Sequence, residues 1–164
     1  MSIKLVTIDG STMKSGLAYF CNGKYKAHHL LDYSKDKNVE SRFESMAKGI
    51  WTLLDMYRPN IIYIEETYMA NNAKTMRILT RLQGVVYAWA MNHGCEFNTI
   101  TPVSWRKQLS FAQGSKVKRT ELKKQEQEEL RCILHILYGA KTPTNTKIKV
   151  DLLRGVIYRL AKVH

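Results

Sequence analysis

The chain has 164 residues, 45% of them hydrophobic, and carries 26 Lys and Arg against 14 Asp and Glu, for a net charge of +12. This length and apolar content allow one domain with a core that needs no disulfides. No segment has the length of a transmembrane helix, and the N-terminal residues have the pattern of a strand instead of a signal peptide. We therefore expect a cytoplasmic protein with no membrane partner.

The excess of positive charge would raise the local concentration of a polyanion over much of the surface. Nucleic acid is therefore the leading partner. Cys21, Cys95 and Cys132 are odd in number, widely spaced and free of any CxxC pairing. This pattern supports neither a disulfide framework nor a zinc site, and it predicts buried reduced thiols. His28 and His29 are adjacent on a predicted strand and so point to opposite faces, which predicts surface histidines and not a shared metal site.

The first third of the chain predicts three strands and a helix. β-prone runs occupy residues 3–8, 16–23 and 24–31, and the last two meet at Asn22-Gly23, a strong hairpin signal. Apolar residues at helical spacing then predict a helix from Val39 to Tyr57, ended by Pro59.

The rest of the chain alternates between strand and helix. Apolar runs predict strands at 60–66 and 95–101 on either side of a helix from Asn72 to Asn92. Further helices are expected at 104–109, 116–138 and 148–161. We therefore expect an α/β protein with a mixed five-stranded sheet, its first three strands antiparallel, flanked by helices in a single domain over residues 1–164.

Carboxylates stand at the ends of two of these strands. Asp9 closes the first strand before a Gly-Ser-Thr turn, and Glu65 and Glu66 close the fourth. Ligands of open α/β sheets bind beyond the carboxyl ends of the strands, and two carboxylates meeting there need a cation to stay ionised. Oxygen ligands suit Mg²⁺ or Mn²⁺. The alternative to a metal site is that Asp9 is a turn-forming residue and that the two glutamates are a solvated strand end. Alternation does not decide between Glu65 and Glu66.

The string "IEETYMANNAKTMRILTRLQG" and the motif "IDGST" resemble the regions around the first two catalytic carboxylates of the RuvC-type Holliday junction resolvases, particularly the small phage enzymes of the lactococcal type. The similarity covers nearly all of residues 1–124 in order and spacing. It implies an RNase H-like fold in which Asp9 and Glu65 are catalytic metal ligands and Glu66 is a neighbour. Tyr68 matches an aromatic residue near the DNA crossover, although packing over the following helix is an equal alternative.

The resemblance also implies an activity and partners. The expected enzyme is a Mg²⁺-dependent endonuclease, with Mn²⁺ able to substitute, that binds four-way and branched DNA in recombination and repair. Its reaction is in-line attack by an activated water, giving 5′-phosphate and 3′-hydroxyl ends. Two symmetrical nicks require a homodimer, for which the helix at 74–91 is a candidate interface. For most of its apolar residues, which are Met76, Leu79, Leu82, Val86 and Trp89, ordinary core packing is the favoured alternative. A phage-encoded enzyme would act in the host cell cytoplasm.

The last helix departs from the family pattern of two acidic residues three apart followed by Ala. Asp151 matches the last acidic position and is the expected third catalytic metal ligand, but Ile148 stands where its partner should be and Leu152 replaces Ala. The alternative for Asp151 is a first-turn helix residue paired with Arg154. An impaired site would make the chain a non-catalytic branched-DNA binding protein.

A strongly basic stretch follows the fifth predicted strand. Residues 103–124 contain seven Lys or Arg and one acidic residue, Glu121. Phosphate neutralisation by such a stretch predicts salt-sensitive recognition of backbone and shape, without direct base readout. By resemblance, the phosphate-contacting residues are Lys107, Lys116, Lys118 and Arg119.

Overall fold

The computed structural model of the chain describes residues 2–22, 24–67 and 73–101. These form five strands and two helices in the order β1 (Lys4–Asp9), β2 (Lys14–Cys21), β3 (Lys24–Asp32), α1 (Val39–Tyr57), β4 (Ile61–Glu65), α2 (Ala73–Asn92) and β5 (Glu96–Ile100). The helices predicted beyond residue 102 lie outside the described residues.

The strands form one mixed sheet in the order β3-β2-β1-β4-β5. β2 is antiparallel to β1 and β3, while β4 is parallel to β1 and β5. Asn22 adopts a φ of 50° at the β2–β3 turn, a conformation that Asn tolerates better than most residues. The predicted five-stranded mixed sheet, with its first three strands antiparallel, is therefore confirmed.

Alternation divides the sheet into two faces. The helix face carries Val6, Ile8, Ile62 and Ile64, which pack with buried residues of both helices, among them Met46, Ile50, Leu82, Val86 and Trp89. The opposite face carries a smaller buried cluster of Leu5, Ala18 and Phe20. β1 is thus buried on both sides, whereas β4 is buried on the helix face and half-buried on the other.

Helix α1 has the predicted bounds because both of its ends are encoded locally. The Asn38 side chain accepts a hydrogen bond from the Ser41 backbone N–H at 3.0 Å, which caps the first turn. Arg58 adopts the left-handed conformation directly before Pro59 and ends the helix. No described helix is both long and apolar enough to cross a bilayer.

Two local expectations are wrong. β2 begins at Lys14, two residues before the predicted start, because cross-strand pairing extends through Lys14 and Ser15 despite their polarity. His28 and His29 were both expected at the surface, but His29 is half-buried, and its Nε2 shares a hydrogen bond with the Tyr57 hydroxyl. Burial and the neighbouring His28 lower the pKa of His29.

The described cysteines carry free thiols, as predicted. Cys95 is buried, whereas Cys21 is half-buried. Burial raises the pKa of the Cys95 thiol to about 11, with a further contribution from Glu96. Cys132 lies outside the described residues.

Candidate active site

Asp9 and Glu65 are the last residues of two neighbouring parallel strands. The register of β1 and β4 pairs Leu5 with Ile61 and continues to Ile8 with Ile64, so Asp9 and Glu65 are the next residues along the two strands. Adjacent strands lie about 4.8 Å apart. The two carboxylates therefore leave the same edge of the sheet one strand spacing from each other.

The strand register also assigns a face to each carboxylate. Leu5, Ile61 and Tyr63 belong to the cluster of the opposite face, and alternation places Asp9 and Glu65 on that same face. Glu66 follows β4, and its backbone N–H donates to the Ile100 carbonyl at 2.8 Å. Glu65 therefore shares a face with Asp9.

A row of residues crosses the sheet at this level. Asp9 of β1 pairs with Gly16 of β2, which in turn pairs with Leu30 of β3. On the other side of β1, Glu65 of β4 pairs with Ile100 of β5. We call these five residues the carboxylate row. Gly16 has no side chain, so no cross-strand side chain of β2 stands beside Asp9 in its own row.

The backbone beneath the two carboxylates is fixed by polar and apolar contacts. In the turn after Asp9, the buried Ser15 hydroxyl donates to the Ser11 carbonyl at 2.6 Å and accepts from the Ser11 backbone N–H at 2.8 Å. At the end of β4, the Gln83 side-chain amide donates from α2 to the Glu65 carbonyl at 2.9 Å. Both strand ends are therefore held in place by the surrounding fold.

The pair fits a hard divalent cation through the chemistry of its donors. Carboxylate oxygens are the ligands that Mg²⁺ and Mn²⁺ prefer, and two like charges one strand apart favour a bound cation. Within residues 2–22, 24–67 and 73–101, no group of three or more His, Cys, Asp or Glu is placed to hold a metal ion. The described strands thus bring two carboxylates side by side at this edge of the sheet, without a third such group placed to share a metal ion with them.

The other residues named from the sequence cannot be placed beside this pair. The third expected ligand and the expected DNA contacts lie outside the described residues: Asp151, Tyr68, Lys107, Lys116, Lys118 and Arg119.

One charged pair next to the carboxylate row was not anticipated from the sequence. Lys14 and Asp32 are register partners, and the Lys14 Nζ lies 2.7 Å from the Asp32 Oδ2. Hydrogen bonds from Lys14 and then from Ser34 hold the pKa of Asp32 well below its usual range. The residues are 18 positions apart, so only the β2–β3 register reveals the pair.

Solved structures show the same fold. T. thermophilus RuvC in complex with a Holliday junction substrate matches with a TM-score of 0.70 at 14% identity, covering 98% of this chain and 94% of that one. The yeast mitochondrial Holliday junction resolvase Ydc2 matches with a TM-score of 0.54 at 14% identity, covering 98% of this chain and 79% of that one. The expected RNase H-like architecture is confirmed by this likeness.

Two relatives of similar sequence are described as crossover junction endodeoxyribonucleases RuvC. A RuvC crossover junction endodeoxyribonuclease of Caldanaerobacter subterraneus subsp. tengcongensis is 27% identical over 95 residues, which are 57% of this chain and 58% of the relative. One from Natranaerobius thermophilus is 30% identical over 74 residues, 45% of either chain. The matches thus span about half the length of these relatives.

The family match covers most of the chain and includes the whole carboxylate row. The sequence profile of the crossover junction endodeoxyribonuclease RuvC family matches residues 6–137, so Asp151 lies beyond the matched segment. The chain therefore belongs to the RuvC family of crossover junction endodeoxyribonucleases.

Proposed function

We propose that this chain is a metal-dependent, structure-selective endonuclease that resolves Holliday junctions and other branched DNA by paired phosphodiester nicks. The observation that carries the proposal is the position of Asp9 and Glu65, which end adjacent parallel strands on one face of the sheet. The family assignment adds the substrate class, since its members are named for crossover junctions.

Asp9, Glu65 and Asp151 are the proposed metal ligands and catalytic residues, with Mg²⁺ as the cation and Mn²⁺ as its substitute. When bound, such a cation supplies an activated water and neutralises charge on the scissile phosphate. The chain contributes fixed carboxylates on an ordered sheet. Below them on the same face, Thr7 is buried and Tyr63 is half-buried.

The proposed DNA contacts are Tyr68 beside the crossover and Lys107, Lys116, Lys118 and Arg119 along the phosphates. Their support is the charge distribution, because residues 102–164 carry 14 Lys and Arg against 5 Asp and Glu. T. thermophilus RuvC has been solved in complex with a Holliday junction substrate, which is consistent with a similar ligand here. Such contacts make affinity fall steeply with salt.

The proposal extends to a homodimer of single-domain chains over residues 1–164, acting in the cytoplasm. Paired nicks on a symmetrical junction need two active sites, which a two-fold dimer supplies. Likeness of the "IDGST" and "IEETYMANNAK" motifs to the small lactococcal-type phage enzymes supports placing the chain in that branch, with the host cell cytoplasm as its location.

The decisive experiment is cleavage of a synthetic four-way junction in Mg²⁺ or Mn²⁺ by the unsubstituted chain and by Asp9→Asn, Glu65→Gln and Glu66→Gln. We expect the first two variants to lose at least 100-fold in rate, as on the order of 3 kcal/mol of transition-state stabilisation is removed. Glu66→Gln is the matched control and should cut normally, because Glu66 lies outside the carboxylate row. Equal cleavage by Asp9→Asn and the unsubstituted chain would overturn the assignment.

A second candidate is a non-catalytic branched-DNA binding protein. It is favoured by Ile148, which stands where the family has a further acidic residue. A pure binder would still bind the junction but leave its strands intact in Mg²⁺ or Mn²⁺. Products with 5′-phosphate and 3′-hydroxyl ends would exclude it.

A further inference from the structure

A charged pair borders the carboxylate row on the side of β2 and β3. Lys14 and Asp32 lie two residues beyond Gly16 and Leu30 on their strands, so alternation gives them the same face as Asp9. Their side chains are 41% and 38% exposed. A positive charge is therefore accessible to solvent next to the proposed catalytic carboxylates.

The register gives the separation of Lys14 from Asp9. Gly16 is the partner of Asp9, so Lys14 is displaced by one strand and by two residues along the strand. With about 4.8 Å between strands and about 3.4 Å per residue, the two Cα atoms are about 8 Å apart. A four-carbon side chain bridges much of that distance to a DNA strand lying over the carboxylates.

The ion pair has the properties of a positioning contact. An ion pair as exposed as Lys14–Asp32 adds little to the free energy of unfolding, so fold stability does not explain why the two residues are paired. Asp32 is itself held by the Ser34 backbone N–H at 3.0 Å and the Ser34 hydroxyl at 2.6 Å. Because an ammonium has three donors and the bond to Asp32 uses one, Lys14 keeps donors for a phosphate oxygen.

We propose that Lys14, positioned by Asp32, binds a backbone phosphate of the DNA strand next to the phosphate that is cut. The proposal rests on the proposed function and adds a contact from β2 to those expected from the C-terminal half of the chain. The Asp32 oxygen holds the ammonium in place, while its negative charge partly offsets the attraction between Lys14 and a phosphate. Removing Asp32 therefore strengthens the positive charge available to DNA, whereas removing Lys14 weakens it.

The test measures affinity for a four-way junction across a salt series in the Asp9→Asn background, where the DNA stays intact. Lys14→Gln should weaken binding three- to tenfold and reduce the slope of log affinity against log salt by close to 0.9, the loss of about one phosphate contact. Lys14→Arg should preserve binding, and Asp32→Asn should preserve or strengthen it. Lys24→Gln is the matched control, because Lys24 is an exposed lysine of the same sheet at its opposite end.

The outcomes separate this proposal from the proposed function. If Lys14→Gln behaves like Lys24→Gln while the unsubstituted chain cuts the junction, only the Lys14 contact is overturned. If Lys14→Gln and Asp32→Asn weaken binding equally, the pair acts structurally, and urea unfolding of both variants would show the shared loss. Failure of the unsubstituted chain to bind or cut branched DNA would overturn both proposals.

Discussion

Trp89 ties the two helices together through a single buried hydrogen bond. Its side chain is the largest of the fully buried ones, and its indole N–H donates to the Asp55 carboxylate of α1 at 2.9 Å. His93 stacks on the indole with ring centroids 4.1 Å apart and bonds to the Trp89 carbonyl at 2.8 Å. A half-exposed carboxylate thus satisfies a polar group inside the core.

We expect Asp55→Leu to lower the free energy of unfolding by about 1–3 kcal/mol, since it leaves the buried indole N–H without an acceptor. Asp55→Asn is the matched control, because its amide oxygen still accepts that hydrogen bond. Urea unfolding followed by Trp fluorescence measures both variants. Equal stability of the Leu and Asn variants would show that the indole N–H does not depend on residue 55.

At the scale of elements, hydrogen bonds at the start of β1 fix its register against β4, and this register brings Asp9 and Glu65 side by side at the other end of the two strands. The Asn60 side-chain oxygen accepts from the Lys4 backbone N–H at 2.9 Å, and the Asn60 N–H donates to the Lys4 carbonyl at 2.8 Å. The Asn60 carbonyl accepts from Glu96 at 2.9 Å, which adds β5 to the same register. A slip of one residue would reverse the faces of β4 and separate Glu65 from Asp9.

The sequence predicts elements whose signals are local and misses those that depend on pairing. The bounds of α1 follow from Asn38 and Pro59, which act within one turn of the helix ends. The choice between Glu65 and Glu66 came from family resemblance, and the β1–β4 register gives it a physical basis. The Lys14–Asp32 pair was missed because single polar residues at the ends of strands carry no periodic signal, and their pairing depends on the β2–β3 register.

Helix α2 has a core side and an exposed side. Of the apolar residues considered for a dimer interface, Leu82, Val86 and Trp89 belong to the core instead. The exposed side has residues spaced alternately by three and four, among them Thr80, Gly84, Tyr87 and Met91. Tyr87 and Met91 are 49% and 61% exposed, and a Cβ at Gly84 would meet nothing within 4 Å. This side suits close packing against a second helix.

We expect Gly84→Arg to convert the proposed homodimer to monomer while leaving the monomer fold intact, because no residue of the described part of the chain packs against Gly84. Gly84→Ala adds one methyl group and should keep the dimer. Sedimentation velocity distinguishes the two states, and circular dichroism confirms the fold of each variant. A dimer that survives Gly84→Arg would place the interface elsewhere.

At the scale of the whole molecule, charge and carboxylates are segregated along the chain. Residues 1–101 contain 12 Lys and Arg against 9 Asp and Glu, and thus only a small share of the net charge of +12. The Asp9–Glu65 pair lies in this nearly balanced part, and the strongly basic part follows it. The proposed enzyme therefore takes two of its three metal ligands, Asp9 and Glu65, from the sheet and most of its phosphate contacts from the C-terminal half, which makes metal binding and phosphate binding measurable independently.

This separation predicts that a divalent cation stabilises the fold through its carboxylate ligands, Asp9 among them, and not through the phosphate-contacting residues. At a Mn²⁺ concentration of ten times the dissociation constant, binding to the native state adds about 1.4 kcal/mol, which for a chain of this size raises Tm by about 3–6 °C. Asp9→Asn should lose this rise and Glu66→Gln should keep it, as thermal unfolding in EDTA and in Mn²⁺ would show. Junction binding in EDTA should persist in all three proteins, since the phosphate contacts need no metal. An equal rise in Tm for Asp9→Asn would mean that the cation binds outside the row and that Asp9 is not its ligand.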